Sequence, residues 1–303
     1  MADITNPAPQ AIRLADYRPP VFLVDEVDLA FELEPEATIV RAAQRLRRQE
    51  AGDLVLDGED LETLSVSVDG HPLPADSYRI DAATLTIAGL PAACTLEIVT
   101  RINPQANTQL MGLYVSGGVF CTQCEAEGFR RMTWFQDRPD VMSRFKVRIE
   151  ADKTRFPVLL SNGNPVGSGD LADGRHFALW HDPFPKPVYL FALVAGDLAC
   201  LEDIFTTRSG RKVALRIYAS AADIGQCHHA MASLKHSMKW DEDSFGLEYD
   251  LDLFMIVAVG DFNFGAMENK GLNIFNTKYV LARADTATDT DFMMIDRVVA
   301  HEY

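Results

Sequence analysis

Through its first two hundred residues the chain alternates apolar and polar positions with a period of two. Leu64-Ser65-Val66-Ser67-Val68 and Cys94-Thr95-Leu96-Glu97-Ile98-Val99 are clear instances, and this period sends successive side chains to opposite faces of a strand. Turn signals fall between such stretches: Asp69-Gly70, Asn162-Gly163, Ser168-Gly169 and Asp173-Gly174, with Pro72, Pro74 and Pro104 in the connections. Many short antiparallel strands without helical periodicity predict a sandwich or an open β-sheet. The basic run over residues 41–48 reads, in that setting, as a solvated, charged strand edge.

Near residues 195–201 the pattern changes. A hairpin with Ser209-Gly210 at its turn leads to a helix predicted over 224–240, carrying Cys227, Met231, Leu234 and Met238. An apolar strand over 251–259, a glycine-containing segment over 260–271 and another strand reaching Leu281 follow. The last segment opens with Thr288-x-x-Asp291, the spacing of a capping box. Met294, Val298 and His301 then share one helical face. The chain stops at His301-Glu302-Tyr303 within this helix and without a C-cap, so it reads as a piece of a longer protein.

Composition narrows the function classes. The 303 residues are 48% apolar, enough for two cores. With 44 Asp and Glu against 28 Lys and Arg, the formal charge is −16, which argues against nucleic acid as the main partner and favours cationic ligands. No apolar run approaches the roughly 18 residues of a membrane span; those at 188–195 and 251–259 are strand-length. The opening MADITNPAPQ has neither a basic region nor an apolar one, so no secretory signal is read there. Five scattered cysteines do not make a disulfide framework, and the expected location is cytoplasmic.

Three stretches could carry chemistry. Gly265-Ala266-Met267-Glu268-Asn269 follows one strand and precedes another; by itself it reads equally as a turn or bulge with an exposed glutamate. His301-Glu302 sits on the last helix. A buried helix histidine is the ordinary reading, but H-E-x-x-H needs this setting, because i, i+4 spacing puts two imidazoles on one face for zinc. The second histidine would fall two positions beyond Tyr303. Cys121-x-x-Cys124 has no second cysteine pair and no βαβ flanks, so its thiols read as structural.

The stretch VAVGDFNFGAMENKGLNIFNTKYVLA, followed some twenty residues later by HEY, resembles the M1 family of zinc aminopeptidases, the gluzincins. CTQCEAEGFRRMTWFQDRPDVMSRF and DPFPKPVYLFALVAGDL are similar to its bacterial members. The resemblance implies a mainly β, saddle-like antiparallel N-terminal domain over 1–197. After it comes the first, truncated part of an α+β thermolysin-like catalytic domain over 198–303. It makes His301 the first zinc ligand and Glu302 the general base, with the remaining ligands beyond Tyr303. Glu268, assisted by Glu125, would bind the substrate's α-amino group. Gly265 and Ala266 would present main-chain groups to the peptide, with Met267 and Asn269 completing the motif. Gln123 and Phe264 would line the pocket for the first side chain, where bacterial relatives often carry Met at the position of Phe264.

The implied activity is zinc-dependent release of N-terminal residues from peptides with broad specificity, by a monomer with no nucleic-acid partner. With one of three zinc ligands, the chain alone is expected to be inactive. Two alternatives stay open. Epoxide-hydrolysing relatives carry Gly at the Ala266 position, and a natural short form could bind peptide N-termini without cleaving them.

Overall fold

The alternating stretches form strands, and the first part of the chain builds an eight-stranded sheet. The computed structural model describes residue 11 and residues 13–303. In spatial order the strands are Asn164–Asp170, Arg175–Lys186, Ser143–Asp152, Phe22–Glu32, Thr38–Arg48, Ala93–Ile102, Glu62–Val68 and His71–Pro72. Pairing is antiparallel except between Phe22–Glu32 and Ser143–Asp152, which run parallel, so the sheet is mixed. A four-stranded sheet (Val158–Ser161, Leu193–Gly196, Val119–Gln123, Gly112–Ser116) shares its core, as does a small three-stranded one (Leu54–Asp57, Thr84–Ile87, Tyr78–Ile80). This is the mainly β architecture expected.

Phe22, Val24, Val27, Leu29 and Phe31 are all buried, although the step from 24 to 27 breaks the period of two. A register shift between Val24 and Glu26 absorbs the extra residue and returns the apolar side chains to the same face. Beneath this strand the core is aromatic: Phe129 lies edge-on to Phe135 and Phe191, at 5.2 and 5.4 Å between ring centroids. Within it lies an ion pair, Lys186 Nζ 3.0 Å from Asp182 Oδ2, with side chains 2% and 0% exposed. The ammonium also sits 3.8 Å from the Phe145 ring centroid. Burial pulls Lys186 down to about 8, with Asp182 opposing the shift.

Several local expectations are corrected. Thr38–Arg48 is an interior strand, not an edge. Three of its arginines stand on the solvent face and pair across the strand boundary, Arg41 with Glu32, Arg45 with Glu26 and Arg47 with Asp25. Ser168-Gly169 lies inside Asn164–Asp170 rather than at a turn. The helix expected over 224–240 is α1, His228–Phe245: residues 224–226 form a separate 3₁₀ turn, and the helix ends where Gly246 turns left-handed at φ 70°. The strand expected to reach Leu281 is Leu272–Asn276, because the Asn276 side chain accepts the Lys278 N–H at 3.0 Å and tips the chain into a 3₁₀ turn.

The second half is a five-stranded sheet ordered Ala199–Thr206, Lys212–Ala219, Leu253–Val259, Leu272–Asn276, Ala266–Met267. Leu253–Val259 is buried along its whole length. Its Leu253, Met255, Val257 and Val259 join the core of the first half. Phe254, Ile256 and Ala258 join a second core with Leu234 and Met238 of α1 and with Ile295 and Val299 of α2, Asp289–Glu302. The Thr288–Asp291 capping box forms as expected, but the buried stripe of α2 is Ile295 and Val299, offset by one position from Met294, Val298 and His301.

Candidate active site

Three elements deliver the residues singled out in the sequence. Gln123 ends strand Val119–Gln123 and is buried, its Nε2 donating to the Glu125 carbonyl at 3.2 Å and lying 3.6 Å from Met267 Sδ. Glu125 follows in the open, and its peptide bond to Ala126 is cis. Cys121 and Cys124 on either side are buried and unlinked. Burial pushes Cys121 up to about 12 and raises Cys124 well above the usual thiol range, which suits structural rather than redox thiols.

The second element is the glycine-containing segment. Ala266–Met267 pairs antiparallel with Leu272–Asn276 and forms the border of the five-stranded sheet. The connection is tight, with the Asn269 carbonyl accepting the Leu272 N–H at 3.0 Å and the Asn273 Nδ2 at 3.1 Å. Met267 and Asn269 point inward and are buried, which leaves Glu268 between them exposed. The Gly265 carbonyl accepts the Asn276 N–H at 2.9 Å. Phe264 is 48% exposed and leans edge-on against Phe262, 6.4 Å between centroids.

The third element is the end of α2. His229 of α1 holds the helix nearer its start, with its ring edge-on to Phe292 at 4.8 Å and its Nε2 3.0 Å from Asp296 Oδ1. The last turn closes through the Tyr303 N–H on the Val299 carbonyl, and the Tyr303 ring lies tilted against Phe254, 5.6 Å between centroids. His301 is exposed and Glu302 half-buried.

The second and third elements, through Glu268 and through His301, Glu302 and Tyr303, border a cleft of about 600 Å³, whereas Gln123, Glu125, Phe264, Gly265, Ala266, Met267 and Asn269 are not among its lining residues. Five carboxylates face it, Asp241, Glu248, Asp250, Glu268 and Glu302, against one lysine, Lys270, which is committed to Asp250 at 2.9 Å. Burial pushes Glu302 up to about 7, and the negative charges of Glu268 and Glu125 add to that shift. Both glutamates therefore lie within electrostatic reach of Glu302. The Oε1 of Gln123 and the Oδ1 atoms of Asn269 and Asn273 are buried acceptors without partners among the described residues, a costly condition that an incoming donor would relieve. A larger hollow of about 670 Å³ lies on the outer face of the eight-stranded sheet, but its charges are spent on neighbours such as Arg41 on Glu32 and Lys146 on Glu26.

Asn273, Tyr249 and Lys270 also border the cleft, and no motif flags them. One signal for Asn273 was available: a single amide in the otherwise apolar run Leu272-Asn273-Ile274-Phe275. Zinc is a different matter. Among the described residues no three His, Cys, Asp or Glu side chains converge to hold a metal ion. His301 is alone, and these residues by themselves do not fit a zinc ion.

Residues 26–190 match the Peptidase M1 N-terminal domain and residues 229–303 the Peptidase family M1 domain. Aminopeptidase N of Caulobacter vibrioides is 60% identical, and that of Escherichia coli 56% identical, each over 297 residues that cover 97% of this chain and 34% of the relative. Aminopeptidase A of Legionella pneumophila, solved in complex with aspartic acid, superposes with a TM-score of 0.92 at 35% identity, over 96% of this chain and 35% of that one. The chain thus spans about a third of the length of the curated relatives it matches. With the N-terminal domain matched over more than half of its residues, the chain belongs to the M1 peptidase family.

Proposed function

We propose that this chain supplies the part of an aminopeptidase that reads the free N-terminus of a peptide. The observation that carries the reading is the cleft itself: Lys270 pairs with Asp250, and four further carboxylates, Asp241, Glu248, Glu268 and Glu302, line it without a lysine partner, with Glu125 in electrostatic reach of Glu302. Such a cleft attracts a cation with several N–H donors. An α-ammonium brings one positive charge and three donors, whereas an internal peptide N–H brings one donor and no charge. Glu268, at the tip of its tight turn, and Glu125, at the end of the neighbouring sheet, are the two receiving carboxylates. Gln123 Oε1 is a buried acceptor beside them. The outer side of Ala266–Met267 has no strand partner among the described residues, so an extended peptide can add there through main-chain bonds. Phe264, exposed and aromatic, is suited to a first side chain with apolar surface.

The reading extends to a protein of the relatives' length: a zinc-dependent aminopeptidase acting on peptides, in which His301 is one metal ligand and Glu302 the proton-accepting carboxylate. Five unpaired cysteines support a reducing, cytoplasmic setting. No helix among the described residues is long and apolar enough to cross a membrane. The division at 197/198 is supported by its place between strand Leu193–Gly196 of one sheet and strand Ala199–Thr206 of another.

The test is Glu268→Gln in the intact enzyme. A charge-assisted bond is worth roughly 1.5–3 kcal/mol, so KM for free peptides rises roughly 10- to 150-fold, while zinc content and far-UV circular dichroism stay unchanged. An unaltered kcat/KM on aminoacyl anilides would overturn the assignment.

A further inference from the structure

Resting on the ammonium-binding role of Glu268, we infer that Asn162 is a positioning residue that fixes where the Glu268 carboxylate stands. Asn162 is 1% exposed and lies in the turn between Val158–Ser161 and Asn164–Asp170. Every polar atom of its side chain is used. Its Nδ2 donates to the Leu190 carbonyl at 3.0 Å and to the Lys270 carbonyl at 2.8 Å, and its Oδ1 accepts the Ala192 N–H at 2.7 Å. Two of these bonds lie within the β-sheet half; the third crosses to the residue two positions after Glu268.

The turn carrying Asn162 cannot easily shift. Gly163 has φ +86°, and a Cβ there would lie 2.2 Å from the His181 carbonyl oxygen, so the backbone is pressed against that strand. On the far side of Gly163, Asn164 takes the Asp252 N–H on its Oδ1 at 3.2 Å. One turn therefore grips the chain just before Leu253–Val259 and just before Leu272–Asn276, two neighbouring strands of the sheet that borders the cleft.

Glu268 has no anchor of its own among the described residues, so its position follows from its backbone. Residues 269–273 close on themselves through the Asn269 carbonyl; toward the β-sheet half the Lys270 carbonyl takes the Asn162 bond and the Lys270 ammonium lies over the Phe184 ring. Upstream, the segment is held by Tyr114 Oη on the Asp261 carbonyl at 3.1 Å and Asn263 Nδ2 on the Gln109 carbonyl at 2.9 Å. Downstream, the Lys270 ammonium pairs with Asp250 and the Gly271 carbonyl accepts the Met255 N–H, and Asn162 supplies the hydrogen bond from the β-sheet half to the Lys270 backbone. Without it the Lys270 carbonyl loses its partner and the turn bearing Glu268 gains freedom, which lowers the complementarity of the carboxylate to an ammonium.

The test uses the intact enzyme and two competitive ligands, phenylalaninamide and 3-phenylpropionamide, which differ by the α-amino group. Asn162→Ala weakens phenylalaninamide about tenfold, leaves 3-phenylpropionamide unchanged, and raises KM while kcat moves less than about threefold. In a Glu268→Gln background the Asn162→Ala effect vanishes, because nothing is left to position. Asn164→Ala, a control in the same turn, changes neither ligand. Asn162→Asp keeps the size and the acceptor for Ala192 but loses the donors to both Leu190 and Lys270, and gives the same selective loss; far-UV circular dichroism and zinc content matching the native enzyme qualify each variant before its ligands are compared. Equal weakening of both ligands, or an effect that persists in Glu268→Gln, overturns the inference. Glu268→Gln weakening phenylalaninamide while Asn162→Ala and Asn162→Asp do not overturns the inference alone. Failure of Glu268→Gln to weaken it overturns the ammonium reading and the inference with it.

Discussion

The buried pair Lys186–Asp182 makes the chain's stability depend on pH in a way that can be separated from everything else. Replacing Lys186 by Met removes an ammonium that is 2% exposed and leaves the fully buried Asp182 carboxylate without its partner at 3.0 Å. Breaking one side of a buried pair costs about 3–5 kcal/mol, whereas replacing both sides by apolar residues is neutral or stabilising by about 1–4 kcal/mol. Lys186→Met should therefore be severely destabilised, and adding Asp182→Leu should restore most of the loss. Lys186 is depressed to about 8 in the folded chain from an ordinary 10.5. Between those values the unfolded chain holds more protons than the folded one, so this group's contribution to stability rises with pH. Cys121 and Tyr218, both pushed up to about 12, oppose that trend, but they are common to both proteins and cancel in the difference. The advantage of the native chain over Lys186→Met thus grows between pH 8 and 10.5 by about 3 kcal/mol. Urea denaturation of both proteins across that range measures it. A flat difference, or a double variant as unstable as the single one, would refute the reasoning.

Other perturbations have smaller, sharper outcomes. Thr288→Ala removes the capping box of α2 and should cost about 1 kcal/mol, with faster hydrogen exchange confined to its first turn. Gly163→Ala combines a left-handed backbone with a 2.2 Å approach to a carbonyl oxygen and should cost more than roughly 3 kcal/mol in thermal or urea unfolding. Trp134→Phe loses the Nε1 bond to Thr63 Oγ1 at 2.7 Å and should cost about 1 kcal/mol. Arg47→Ala, in a pair 54% and 50% exposed, should change the urea midpoint by less than about 0.5 kcal/mol equivalent.

What was legible in the sequence follows from how local each signal is. The Thr288–Asp291 cap and the Ser209-Gly210 hairpin are closed by residues a few positions apart, and both formed where expected. The interior place of Thr38–Arg48 was hidden because its acceptors Glu32, Glu26 and Asp25 lie on a different strand. The parity change at Val24 and Val27 is visible in the sequence only as a fault in the alternation, and becomes a bulge once a partner strand exists. Of the site, the stretch from Gly265 to Asn269 stood out through its motif. Asn162 and Asn273 did not, because an amide discloses its role only when the carbonyls it reaches are in view.

Strand Leu253–Val259 gives alternate residues to two cores, and this binds the two halves of the chain into one thermodynamic unit. To melt away from α1 and α2 the strand must turn out Phe254 and Ile256, and the same backbone motion pulls Met255 and Val257 from the aromatic β core. Neither half can lose order on its own without opening the other to water, so heat and urea should meet a single cooperative transition. The cleft lies beside that shared strand, and its carboxylates keep their spacing for as long as the whole chain stays folded.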